Sequence, residues 1–123
     1  MNYWFLAASF AAIATFAFHT VVGGRFVARP LLAAEDVGKV ARYTAYYCWH
    51  LVSILLAGLT LALLRAGLFS GGRELAAAAV TFSLCATVWS VAMIQRNNLG
   101  WVRFLQWMLF ALIGFLGAAG LWF

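Results

Sequence analysis

The chain has little charge, and acids are the scarcest charged residues. Charged residues make up 9% of the 123 positions, with eight Lys and Arg against three Asp and Glu. The acids, Glu35, Asp36 and Glu74, lie between apolar runs or at their edges, so no carboxylate is available inside a run for proton transfer. The sequence also has no Ser–His–Asp order, no paired carboxylates and no phosphate-binding loop. These absences favour a protein that is not an enzyme.

Cysteine and proline are also scarce. Cys48 and Cys85 both fall inside apolar runs, and neither has a Cys or His near it at zinc-ligand spacing. We therefore expect both thiols to be small buried side chains, not metal ligands or a disulfide. Pro30 is the only proline, so none of the long apolar runs is interrupted by one.

Long apolar runs are what the sequence has in abundance. Hydrophobic residues make up 67% of the chain, and the mean hydropathy is +0.98. A small soluble domain could not bury so much apolar surface, so the lipid bilayer is the expected solvent. Each run is continuous, which favours helices over the alternating strands of a barrel. We predict an all-α bundle of four transmembrane helices forming one domain over residues 1–123, with spans at Tyr3–Val22, Ala41–Leu64, Leu75–Ile94 and Phe104–Phe123.

Glycine and proline give the expected helix boundaries. Gly23-Gly24 is predicted to end the first helix, because glycine commonly follows the last helical turn. Pro30 suits the first turn of a helix, and acids follow it where the helix dipole favours them. The second helix is therefore expected to begin near Pro30 and run to about Arg65, extended on the cytoplasmic side.

The basic residues predict an orientation. The first and third loops hold six of them, against two in the second loop, so the positive-inside rule places those two loops in the cytoplasm. Both termini are then expected outside, in a protein of the cell inner membrane. Because the cations flank the spans and do not form a stripe, nucleic acid is not an expected partner. The six are Arg25, Arg29, Lys39, Arg42, Arg96 and Arg103, and the two are Arg65 and Arg73.

Small residues at helical spacing predict the packing faces. Close approach of helices at such residues holds membrane bundles together. Trp89, near the middle of the third span, is expected to be packed in the bundle. The predicted faces are Ala8, Ala12, Thr15 and His19 in the first helix, Ser53 and Ala57 in the second, Ala79, Ser83, Ala86 and Ser90 in the third, and Ala111, Gly114 and Ala118 in the fourth.

Every span places a polar group in its predicted cytoplasmic half. His19 and His50 belong to the first two spans, and the others are Gln95, Arg96, Asn97, Asn98 and Gln106. The cluster can be interpreted as a hydrogen-bonded structural plug. Alternatively, His19 and His50 are the axial ligands of a haem b, since imidazoles on facing helices are a common way to hold one. A third interpretation is a site for a small anionic or quinone-like ligand, with Arg25, Arg29 or Arg96 supplying charge.

A short segment resembles known families. The sequence FHTVVGG, residues 18–24, is similar to bacterial membrane proteins in which a histidine of the first helix precedes a glycine pair. These are the copper-resistance membrane proteins and the four-helix type of protoporphyrinogen oxidase. The similarity covers fewer than ten residues with a shorter spacing, so no functional residue is assigned from it.

The functional expectation follows from what the chain lacks. With no soluble machinery of its own, it is expected to be a non-catalytic accessory or assembly subunit of a larger membrane complex. Its expected partners are lipid and other membrane protein subunits or itself. The alternatives are a haem b or other redox-cofactor protein that uses His19 and His50, and a small-solute channel or transporter that acts as an oligomer.

Overall fold

The computed structural model describes all 123 residues as helices joined by short turns, without strands. The π segment, His19–Ala28, continues the first helix into the next, and we call the whole stretch Tyr3–Ala33 helix one. Helix one, α3 and α4 are long and apolar enough to cross a membrane, and α5 is a shorter apolar helix. The α-helices are α1 (Tyr3–Phe18), α2 (Arg29–Ala33), α3 (Lys39–Leu68), α4 (Arg73–Asn97) and α5 (Gln106–Trp122).

The glycine pair does not end the first helix, so the predicted boundary at Val22 is wrong. Gly23 and Gly24 lie inside the π segment, where the Arg29 N–H donates to the Gly24 carbonyl five residues earlier. The indole of Trp49, on α3, lies against the pair: a Cβ built on Gly23 would be 3.6 Å from Nε1. The bare backbone is therefore covered by an aromatic ring, and the helix continues.

Pro30 belongs to helix one, which corrects the predicted start of the second helix. Pro30 lies in the first turn of α2, and the chain reverses only afterwards, from Ala34 to Gly38. Arg42 stabilises the reversal, because its Nη1 donates to the Ala34 carbonyl at 2.8 Å. Proline removes one backbone donor, and the chain places it at the junction where the π segment changes to α2, so the helix continues with one ladder hydrogen bond missing. The predicted extension is thus found on helix one.

Helix one, α3, α4 and the shorter α5 pack together as a four-helix bundle. α1 packs against α3 and α5, and α4 packs against α5 and, less extensively, α3. We call the end with both chain termini and the α3–α4 turn the terminal end, and the opposite end the basic end. The core lies mostly in the half near the terminal end. It consists of Phe5, Ala8, Ala12, Leu56, Leu59, Ala62, Leu63, Ala66, Ala76, Ala79, Val80 and Ile113.

Glycines bring the helices together in this half. A Cβ on Gly120 would lie 2.6 Å from the Phe5 ring, and one on Gly114 would lie 2.6 Å from a Leu84 methyl. Gly117 leaves equally little room beside Val80. The predicted small-residue faces of the first and third helices point inward, since Ala8, Ala12, Thr15, Ala79, Ser83 and Ser90 are buried and Ala86 is half-buried. The predicted face of the second helix is wrong at Ala57, which is exposed, while Ser53 is half-buried. On α5 the buried positions are Ile113, Gly114, Gly117 and Gly120, whereas the predicted Ala111 and Ala118 are half-buried.

Asn2 fastens three helix ends at one level. Its side-chain oxygen accepts hydrogen bonds from the backbone N–H groups of Trp4 and Phe5, which caps α1. Its side-chain nitrogen donates to the Gly120 carbonyl at 2.9 Å, and its backbone N–H donates to the Gly67 carbonyl at 2.9 Å. The start of α1 and the ends of α3 and α5 are therefore flush.

Three side chains expected to be buried are exposed. Trp89 is 66% exposed, and Cys48 and Cys85 are both exposed thiols. α4 turns its small residues inward, Ala79 and Ser83 among them, so its larger side chains face away from the core. Apolar composition alone does not fix the rotation of a helix, because lipid accepts a bulky apolar side chain as readily as a core does.

Replacing Gly67 by alanine should destabilise the bundle. The new Cβ would lie 2.7 Å from a Leu6 methyl and 3.1 Å from the Leu6 backbone nitrogen, so the helices must separate. We expect the free energy of unfolding in detergent to fall by about 1–3 kcal/mol. Gly58→Ala is the matched control, because nothing lies within 4 Å of its Cβ position. Equal losses in the two variants would contradict the role of Gly67.

Candidate functional site

The two histidines meet at one tryptophan between helix one and α3. The ring of His19 stacks on that of Trp49, with centroids 4.6 Å apart. His50 meets the same indole edge-on at 5.0 Å. Tyr46 lies parallel to Trp49 at 6.2 Å and edge-on to His50 at 4.5 Å. These four residues, which we call the aromatic cluster, form a brace between the two helices at the basic end of the packed core.

A hydrogen bond fixes the tautomer of His19. Its Nε2 lies 3.1 Å from the Trp49 backbone carbonyl. A carbonyl oxygen only accepts, so Nε2 must carry the proton and donate it. The same carbonyl accepts from the Ser53 hydroxyl at 3.3 Å. His19 is therefore tied to α3 by both its ring face and its donor, whereas His50 is exposed and makes no hydrogen bond.

The π segment provides the surface on which the indole lies. In an i→i+5 ladder, the residues four and five positions after His19 both lie near its side of the helix. These residues are Gly23 and Gly24, and a Cβ on either would lie 3.6–3.9 Å from the Trp49 indole. The glycine pair thus presents bare backbone to the indole. A larger residue at either position would be in direct contact with the ring.

Several polar atoms of the aromatic cluster have no partner within the protein. The Trp49 indole N–H, the Tyr46 hydroxyl and both ring nitrogens of His50 make no hydrogen bond, although Trp49 and Tyr46 are half-buried. Near a bilayer surface such groups are satisfied by water or lipid headgroups, as is usual for interfacial Trp and Tyr. The cluster therefore combines an apolar brace with exposed polar edges.

The other polar residues singled out from the sequence do not join the histidines. Gln95 and Arg96 are exposed near the end of α4, and Gln106 is exposed at the start of α5. Asn97 donates to the Met93 carbonyl of its own helix at 3.0 Å. Asn98 ends α4 in the left-handed conformation, with φ 51°. No hydrogen bond connects these groups to helix one or to α3.

The two arginines proposed as charge donors lie further along helix one. Arg25 is in the π segment and Arg29 begins α2, and both are exposed. Neither donates a hydrogen bond to another residue of the chain. The four-helix polar cluster is thus divided into a histidine and tryptophan brace, a basic extension of helix one, and a polar junction between α4 and α5.

The arrangement does not fit a haem held between the two histidines. Axial ligation uses a ring nitrogen lone pair, and His19 Nε2 is already a donor to Trp49. The remaining nitrogen, Nδ1, lies 3.9 Å from the Cβ position of Gly23 in the next turn. The Trp49 ring also lies against both imidazoles.

Trp49 is the residue that sequence reasoning missed. It was overlooked because His50, next to it, carries the more familiar chemistry. A signal was present in the helical spacing of Trp49, Val52, Leu56 and Leu59, which places the tryptophan on the face of α3 that packs in the bundle. The structure shows that face to be buried or half-buried throughout.

The two histidines should respond differently to replacement by phenylalanine. His19→Phe keeps an aromatic ring against Trp49 but removes the hydrogen bond to its carbonyl. We expect it to lower the free energy of unfolding in detergent by about 1 kcal/mol. His50→Phe removes no hydrogen bond and should cost less than half as much. A larger loss of stability for His50→Phe than for His19→Phe would contradict the role given to the His19 hydrogen bond.

Comparison with known proteins adds no candidate function. No family model matches the chain, and no curated protein and no solved structure matches it. The function is therefore argued from the geometry and chemistry of the side chains described above.

Proposed function

We propose that the chain is a small non-catalytic protein of the cell inner membrane, an accessory or assembly subunit that docks onto another membrane protein through α4. The basic end would face the cytoplasm, because six of the eight basic residues lie there, and both termini would lie outside. The observation that carries the proposal is an outward face of α4 with polar groups that have no partner.

The docking face of α4 follows a regular helical spacing. Its members are three or four positions apart, which places them in one seam along the helix. Most are small, so a neighbouring helix could approach closely. All are exposed except Ala92, which is half-buried. The seam consists of Ala78, Thr81, Cys85, Val88, Ala92 and Gln95.

Two polar side chains on this seam lack partners. Elsewhere on α4, the hydroxyls of Ser83 and Thr87 each donate to the carbonyl four residues earlier, at 2.9 Å. The Thr81 hydroxyl makes no such bond, and the Gln95 amide makes none either. Thr81 and Gln95 lie two heptads apart and share one face. Polar groups on a membrane helix normally bind a neighbouring helix, so both are suited to do so.

A shallow apolar groove runs beside the polar groups. It is lined by Leu84, Cys85, Val88, Trp89 and Ala92, all of them apolar. Trp89 forms one raised edge, since its side chain is 66% exposed. A groove between a bulky ring and small residues suits the ridge of a second helix. Two hydrogen bonds and this groove together supply the packing and polar contacts on which membrane helix association depends.

The native cysteines allow a direct test of docking. Cys85 lies on the proposed face, whereas Cys48 is an exposed thiol on α3 away from it. In native membranes, a short thiol cross-linker should join the Cys48→Ser variant, through Cys85, to one different protein that also co-purifies in a fixed ratio. The Cys85→Ser variant, with Cys48 retained, should give no adduct. Equal adducts from both thiols, or dimers of the chain alone, would contradict the accessory-subunit proposal.

Substitutions on the face provide a second arm of the same test. Thr81→Leu and Gln95→Leu should each weaken partner recovery about fivefold, equivalent to one interhelical hydrogen bond of about 1 kcal/mol. Thr44→Leu is the matched control, because Thr44 is an exposed threonine on α3 that also makes no hydrogen bond. Unchanged recovery in the α4 variants would argue against docking through these groups.

The visible spectrum separates this proposal from a haem protein. Because His19 already donates from Nε2 and the Trp49 ring lies against both imidazoles, we expect no Soret band from the detergent-purified protein. His19→Ala and His50→Ala should leave the spectrum unchanged. A Soret band that disappears in either variant would replace the accessory-subunit proposal with a haem protein.

A further inference from the structure

Helix one and α3 extend beyond the rest of the bundle at the basic end. The stretch Tyr3–Ala33 has 31 residues and α3 has 30, whereas α4 has 25 and α5 has 17. At about 1.5 Å per residue, α3 is about 45 Å long and α5 about 25 Å. The helices are flush at the terminal end, where Asn2 bonds to Gly67 and Gly120. All of the extra length therefore lies at the basic end.

This extension reaches the depth of lipid headgroups. Counted from Tyr3 at no more than about 1.5 Å per residue, Arg25 lies at most about 33 Å along helix one. Arg29 lies at most about 39 Å along it on the same scale. A bilayer core is about 30 Å thick, and its polar regions increase the total to about 40–45 Å. If the terminal end meets one surface of the core, both guanidiniums lie among the headgroups of the other leaflet.

The two arginines share one side of the helix and form no salt bridge, although the acids Glu35 and Asp36 are exposed in the turn that follows. They are four residues apart in the π segment and its continuation, where the ladder bonds join residues five apart, so they lie about one turn from each other. Neither they nor any other basic residue of the chain lies within 4.0 Å of an acidic oxygen. Like charges at this spacing repel each other unless an anion lies between or beside them.

Apolar side chains surround the two cations. Phe26 is 68% exposed and Val27 is 55% exposed, and the Arg25 guanidinium lies 5.7 Å from the centroid of the Phe26 ring. Exposed aromatic and aliphatic groups beside cations suit a ligand with both an anionic group and an acyl chain. A soluble anion would leave these apolar groups in water.

We propose that the extension of helix one, through Arg25 and Arg29 beside Phe26 and Val27, is a binding site for the headgroup of an anionic phospholipid. The guanidiniums bind the phosphate, since Arg presents paired donors that match its oxygens. The exposed apolar side chains contact the upper part of the acyl chains. Lys39 is also exposed at this end and adds to the local charge. This site is separate from the docking face of α4 and does not depend on it.

The test is lipid selection by the purified full-length chain. The protein in nonionic detergent is incubated with equimolar phosphatidylglycerol and phosphatidylcholine and purified again, and the retained lipid is measured by mass spectrometry. We expect phosphatidylglycerol to be enriched. Arg25→Gln with Arg29→Gln should reduce the enrichment at least about fivefold, because each cation near an anionic surface contributes about that factor. Arg25→Lys with Arg29→Lys should retain most of it.

The controls separate a site from net charge. Arg65→Gln lowers the charge at the terminal end, so it should leave enrichment unchanged, and so should Arg96→Gln at the junction of α4 and α5. Loss of selection in these variants equal to that at Arg25 and Arg29 would overturn the proposal, as would absence of enrichment in the unmodified chain. If millimolar inorganic phosphate displaces the bound lipid, the ligand is a free phosphate and the lipid assignment is overturned.

Discussion

Close contact between helices at glycine is the constraint on which the rest of the structure depends. In lipid no hydrophobic force draws helices together, so association depends on packing and on a few hydrogen bonds. Gly67, Gly117 and Gly120 let neighbouring side chains occupy the space that a Cβ would need. Asn2 then joins three helix ends at one level. Because the helices are held flush at the terminal end, every difference in their lengths must appear at the opposite end.

That difference explains why the two ends are built differently. Beyond the start of α5, at the basic end, helix one and α3 continue side by side, and the large ring of Trp49 takes the place of small residues between them. Glycine makes close contacts at both ends. At the terminal end Gly120 leaves space for the ring of Phe5, and at the basic end the backbone of Gly23 and Gly24 lies against the ring of Trp49. His19, which stacks on Trp49, also donates a hydrogen bond to α3. The aromatic cluster therefore holds helix one and α3 together at the basic end, as the glycines hold the helices together in the core.

Hydropathy predicted the helices well but not their ends or their rotations. The predicted run Leu75–Ile94 lies inside α4, because a continuous apolar run of spanning length leaves the backbone no alternative to a helix in lipid. The prediction that Gly23-Gly24 ends the first helix was wrong because a glycine pair can either end a helix or pack against an aromatic ring inside one. The ring belongs to Trp49, which is distant in the sequence. Trp89 could not be oriented, since lipid and core are equally apolar. The histidines were correctly singled out as neighbours in depth, but their common partner is an indole.

The polar groups without partners are what the two proposed contact surfaces have in common. Most buried hydroxyls have a partner, as when Ser9 donates to the Thr60 carbonyl and Ser83 to that of Ala79, whereas the Ser90 hydroxyl makes no hydrogen bond. Apart from the buried Nε of Arg42, the side-chain groups without partners that matter here lie on the outer face of α4, in the aromatic cluster and on the extension of helix one. Trp49 lies where the extension of helix one meets α3, because its indole stacks on His19 and lies against the glycine pair of the π segment. The extension is therefore braced against α3 immediately before it reaches Arg25 and Arg29.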